Sequence, residues 1–206
     1  MDRRELLKMI AVLTGGVIIG GEVFLTGCKT GAKTGAGFTA TNIALLDEIG
    51  ETIIPATATP GAKAAKVGEF MKVMVTDCYT QAEQDAFMKG LNTFEEACKK
   101  ANDKIFMDCS PQQRHDFLVS LEKEAKGFNK AVSEKDKPVR EEFKQKGRPY
   151  NFVASPKHYY TMMKQLTLLG FYSSETGMTE TLRHIPVPGK YDGTFPYAKG
   201  DKAWAE

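Results

Sequence analysis

Beyond residue 40, apolar positions recur at the three- and four-residue spacing of an amphipathic helix. Residues 41–54 carry Ile43, Leu46, Ile49 and Ile53 at that spacing. Pro55 stops the segment, because it has no N–H to continue a helix. Pro55-Ala56-Thr57-Ala58-Thr59-Pro60-Gly61 then reads as a rigid loop. Val67, Phe70, Met71, Met74, Val75 and Cys78 form a second stripe. Thr80-Gln81-Ala82-Glu83 is a capping box that opens a third helix, placed at 81–101, with Phe87, Leu91, Phe94 and Cys98 on one face. Ser110-Pro111-Gln112-Gln113 opens a fourth, with proline at the first helical position and Phe117, Leu118, Leu121 and Ala125 as its stripe. Residues 129–148 are charge-rich and weakly patterned; they read as a short helix or a solvated loop. Ser155-Pro156 starts a fifth helix carrying Tyr159, Met162, Met163, Leu166 and Leu169, which Gly170 is placed to end. No run alternates long enough for a strand. The pattern predicts an all-α protein, a small bundle of about five helices around one core.

The last stretch breaks this pattern. Residues 184–206 hold Pro186, Pro188 and Pro196 with Gly189, Gly193 and Gly200, so no continuous helix can form. Tyr191, Phe195, Tyr197 and Trp204 make this extended C-terminal arm costly to leave in water. It lies either against its own bundle or against a partner protein, where aromatic anchors are favoured.

The first 27 residues read as an export signal: a basic start, an apolar run from Met9 to Leu25, then small residues before a cysteine. A permanent membrane-spanning helix is the alternative. The run is short for one, and it holds four glycines and Glu22. Arg3-Arg4-Glu5-Leu6-Leu7-Lys8 resembles a twin-arginine signal, with Asp2 and Leu6 departing from the usual residues; a general secretory signal also tolerates two arginines. Leu25-Thr26-Gly27-Cys28 resembles a bacterial lipobox, which implies cleavage before Cys28 and acylation of its thiol. More than one acyl chain gives stable anchoring where one is marginal. Residues 28–40 would then be a lipidated cysteine and a flexible tether, 41–183 the helical domain and 184–206 the arm.

Charge adds exclusions. The 206 residues carry 28 Lys+Arg against 26 Asp+Glu, a net charge of +2, which argues against nucleic-acid binding. Export makes disulfides possible. Cys78 and Cys98 flank one helix and stand about 25–30 Å apart along its axis, too far to bridge. Cys98 and Cys109 flank a turn and can meet, so a Cys98–Cys109 disulfide is predicted, with Cys78 buried and either free or bridged to a partner. Three reduced buried thiols remain the alternative. There is no haem-attachment motif, zinc spacing, His-Glu-x-x-His or Gly-x-Ser-x-Gly. His115 reads as a surface histidine, and His158 and His184 are scattered. Glu95-Glu96 and Glu141-Glu142 read as solvated charges, Met162-Met163 as core. No constellation of catalytic, cofactor-binding or metal-binding residues stands out.

Two longer strings carry a resemblance. Ile49 to Ala62, with Ile53-Ile54-Pro55-Ala56-Thr57-Ala58-Thr59-Pro60-Gly61-Ala62 at its heart, and Leu166 to Gly177 resemble the gluconate 2-dehydrogenase subunit 3 family, the small subunit of membrane-bound flavin-dependent sugar dehydrogenases. Pro186 to Tyr191 is a looser match. The resemblance implies a non-catalytic accessory subunit, with no cofactor of its own, that pairs with a large FAD-dependent (GMC-type) dehydrogenase subunit oxidising a sugar or polyol. It implies that Arg3 and Arg4 address the complex for export and that Cys28 anchors it in the periplasm through its lipid. A cytochrome c is an electron acceptor consistent with it. Pro55, Pro60, Gly61, Tyr191, Phe195, Tyr197 and Trp204 are the candidate partner contacts. A solitary periplasmic lipoprotein using its helices to bind a ligand or a protein is the second expectation.

Overall fold

The computed structural model describes residues 37–148, 151–187, 189, 190 and 192–205. Arg3, Arg4, Cys28 and Tyr191 lie outside them. The described chain is a helical bundle: α1 Ala40–Ile53, α2 Val67–Asp77, α3 Gln81–Asn102, a 3₁₀ turn Phe106–Asp108, α4 Pro111–Gln145, α5 Tyr159–Tyr172 and a π-helical turn Gly177–Thr181. Among the described residues there is no strand, only an isolated bridge between Arg183 and Trp204.

Local chemistry sets most boundaries. Thr39, Thr80 and Ser110 each cap a helix with a reciprocal box, which satisfies the N-cap and N3 amides of those first turns. α2 has no side-chain cap of its own. Asp47 of α1 substitutes, accepting the Gly68 N–H at 2.8 Å. Burial pushes this carboxyl up despite that bond. The core runs through all five α-helices: Leu46 and Ile49, Met71 and Val75, Phe87 and Phe94, Phe117 and Leu121, Met163 and Leu166. Phe94, Phe106 and Phe117 meet in tilted and edge-on pairs, with centroids 5.1 to 6.3 Å apart. Each such pair adds about 0.5–1.5 kcal/mol beyond its buried area.

Four expectations are corrected. Residues 129–148 are neither a short helix nor a loop over most of their length: α4 runs unbroken to Gln145 through Pro138. A proline there removes one helical bond, and the chain after the helix compensates. Ser155 donates its N–H and hydroxyl to Asp136 at 2.8 and 2.7 Å, and Arg140 lies 5.0 Å over the Phe152 ring. α5 starts at Tyr159 rather than at Ser155-Pro156, because Ser155 is held by Asp136 and His158 supplies the cap, its Nδ1 accepting the Tyr160 N–H at 3.3 Å. Gly170 does not end α5. It is buried inside it, and an added Cβ would stand 2.6 Å from Cδ1 of Phe70, so any side chain there would have to push the ring aside. Cys78 is exposed at the C-cap of α2 rather than buried on its stripe. No helix among the described residues is long and apolar enough to cross a membrane.

Candidate partner interface

The loop between α1 and α2 is built around one carboxylate. Glu51 accepts the Ala56 N–H at 2.8 Å on one oxygen and the Lys63 N–H at 2.9 Å on the other. Gly61 is buried against it; a Cβ there would meet Glu51 Oε1 at 2.3 Å and the Ala56 nitrogen at 2.6 Å. Ala62 donates back to the Ile54 carbonyl at 2.9 Å. Pro60 is half-buried and Pro55 is exposed. Gly61 therefore shapes the loop from within, while Pro55 faces outward.

Behind this loop stands an ion cluster. Glu48 pairs with Lys63 at 2.8 Å and with Arg114. Burial pushes the Glu48 carboxyl up, but the Lys63 and Arg114 cations outweigh it and leave it below the usual range. Arg114 also donates to the Phe106 and Met107 carbonyls, at 3.0 and 2.6 Å. One guanidinium thus joins α4, the 3₁₀ turn and α1.

The arm does not pack into the bundle core. Phe195, Tyr197 and Trp204 keep 48%, 78% and 41% of their surface exposed. Phe195 and Trp204 are gathered by Arg183, whose guanidinium sits 5.2 Å from the Phe195 ring and 4.9 Å from the Trp204 ring. The two rings meet edge-on at 5.5 Å. Arg183 N–H donates to the Ala203 carbonyl at 2.7 Å, and the Ala205 N–H returns to the Arg183 carbonyl at 3.1 Å. Lys202 donates to the Glu180 carbonyl. Of the two coverings expected for the arm, Phe195 and Trp204 are partly covered by Arg183 of the helical domain, and Tyr197 stays mostly open.

A further apolar surface lies on α5. Leu168, Leu169 and Tyr172 are exposed, and they share one side at helical spacing. Leu169 was expected in the core; its neighbour Gly170 faces Phe70 instead, which turns Leu169 outward. The signal was present as three apolar residues in four beside a buried stripe, more than one face can bury.

The titratable groups differ in their surroundings. His115 is solvated beside Asp116, whereas His158 is buried. Burial pushes the His158 imidazole down, and burial pushes the Tyr159 and Tyr160 phenols up to about 12. Glu95 accepts the Phe106 N–H at 2.9 Å and so has a structural role that its neighbour Glu96 lacks. Among the described residues no three His, Cys, Asp or Glu side chains converge to hold a metal ion. Cys98 and Cys109 bring their sulfurs to 3.8 Å as thiols. Among the described residues, grooves open between the helices. One, about 330 Å³, lies between α4 and α5 beside Glu122, Lys126 and Lys164. Another, about 410 Å³, lies between α1 and α3. In the first, Glu122 is already paired with both lysines.

A family model described as Gluconate 2-dehydrogenase subunit 3 matches residues 40–189, more than half of the chain. No curated protein and no solved structure matches.

Proposed function

Because the chain belongs to the gluconate 2-dehydrogenase subunit 3 family, and is by that membership an accessory subunit of a dehydrogenase complex, we propose that it escorts and anchors a catalytic flavoprotein. The partner is a large FAD-dependent (GMC-type) subunit that oxidises a sugar or polyol, and FAD resides there. Arg3 and Arg4 address the pair to a twin-arginine route, which carries folded cargo and so suits a partner loaded with its cofactor. Lipid on Cys28 holds the complex at the periplasmic side of a membrane, where a cytochrome c takes the electrons.

The observation that carries this reading is apolar surface left open within or beside the family-matched region. Leu168, Leu169 and Tyr172 stand on α5, and Phe195, Tyr197 and Trp204 on the arm. Exposed aromatic and aliphatic groups clustered on ordered elements mark interaction sites. The loop held by Glu51 presents Pro55 as a further contact, with Pro60 and Gly61 setting its shape.

The test is affinity purification of the full chain from native membranes. A stoichiometric second polypeptide with a flavin absorbance spectrum is expected. Removing residues 184–206 should reduce its recovery at least tenfold. A stable flavin-free monomer from native membranes would overturn the reading in favour of a solitary lipoprotein.

A further inference from the structure

Cys98 lies in the last turns of α3, and Cys109 follows the 3₁₀ turn that leads into α4. Their sulfurs stand 3.8 Å apart, with residue exposures of 0% and 4%. The connection between them is already fixed on both sides. Glu95 accepts the Phe106 N–H at 2.9 Å, Arg114 donates to the Phe106 and Met107 carbonyls, and Phe106 is fully buried between Phe94 and Phe117. Asn102 donates its amide to the Cys98 sulfur at 3.7 Å. Two thiols held this close have a high effective concentration for each other, because the entropy of bringing them together has been lost in folding.

We propose that Cys98 and Cys109 are a redox pair that closes to an internal disulfide, stapling the α3–α4 connection around Phe106. Closure has to shorten the sulfur separation from 3.8 Å to about 2.05 Å. The oxidant is a disulfide, either a small molecule or a disulfide-carrying protein. Cys109 is the entry point, since it alone retains any exposure. Its thiolate attacks one donor sulfur, and the donor's other sulfur leaves as a thiolate. Cys98 then loses its proton and attacks the Cys109 sulfur of the mixed disulfide. The second donor thiolate leaves as the Cys98–Cys109 bond forms. Two protein thiols lose two electrons and two protons, and the donor disulfide becomes two thiols. Burial pushes the Cys98 thiol up to about 11, so this second step is slow at neutral pH and the pair tolerates brief exposure to oxidant. Cys78, exposed at the end of α2, serves as an internal comparison. The pairing does not depend on the partner reading.

The test takes the full chain, reduced and then held in oxidised glutathione until its thiol count is constant. It is then quenched in acid, alkylated after denaturation and digested. The expected result is a linked peptide joining Cys98 to Cys109 that has lost the mass of two hydrogens. The oxidised protein should also melt about 5–10 °C higher than the reduced protein. Cys78→Ser should leave both results unchanged. The proposal is overturned if Cys98 and Cys109 remain alkylated separately, if either is found joined to Cys78 or to glutathione instead, or if the linked protein melts no higher than the reduced one.

Discussion

His158 is a side chain whose charge the fold decides. Its Nδ1 accepts the Tyr160 N–H, and its ring packs against Phe128 and Tyr159, with Glu124 the facing carboxylate at 3.7 Å. Protonating Nδ1 would break the cap of α5, and burial opposes the charge more than Glu124 favours it. The folded-state pKa therefore lies below the unfolded value of 6.5. The unfolded chain binds the proton first, so this contribution is complete above about pH 6.5 and is lost as pH falls toward the folded pKa. Thermal melts should show wild type losing up to about 1.4 kcal/mol per pH unit through that window. A His158→Gln variant should lack this slope. The sequence placed His158 near the start of a helix but gave no sign of burial, because that depends on Phe128, thirty residues earlier. Thr80 with Glu83 and Ser110 with Gln113 were legible, because a capping box lies within four consecutive residues.

Among the elements, α4 separates what a stripe reveals from what it hides. Its first half has an apolar face and was read correctly. Its second half has Asp136, Arg140 and Phe143, whose partners Phe152 and Ser155 arrive only after the chain has turned back. A helix held by a returning segment rather than by a stripe has no periodic signature. Asp136 bears much of this: the Ser155 backbone and hydroxyl bonds hold its carboxyl below the usual range. Asp136→Ala should release residues 152–156 and fray the far half of α4. Amide exchange over 130–145 should rise about tenfold or more, with 111–125 little changed. Equal change along both halves would show that the helix opens as one unit. Gly170 was misread for a related reason, since a glycine that ends a helix and one that admits Phe70 look the same until the neighbouring helix is in place.

For the whole molecule, the all-α class and the family were legible because both rest on long patterns, the helical stripes and the Ile53–Ala62 string. What covers the open apolar surface was not, because no stripe, cap or turn within the chain specifies it. The export reading belongs to this scale. If the proposed escort role holds, Arg3→Lys with Arg4→Lys should leave both this chain and the proposed flavoprotein partner in the cytoplasmic fraction, a near-complete loss of periplasmic enzyme. Immunoblots showing the flavoprotein still in the periplasm would remove the escort role.

The clasp at Arg183 has a consequence for how the arm meets anything else. Arg183 holds Phe195 and Trp204 against each other, so this end of the arm behaves as one piece rather than a loose strand. Much of its freedom is spent within the chain itself, before any encounter, and less remains to be lost on docking.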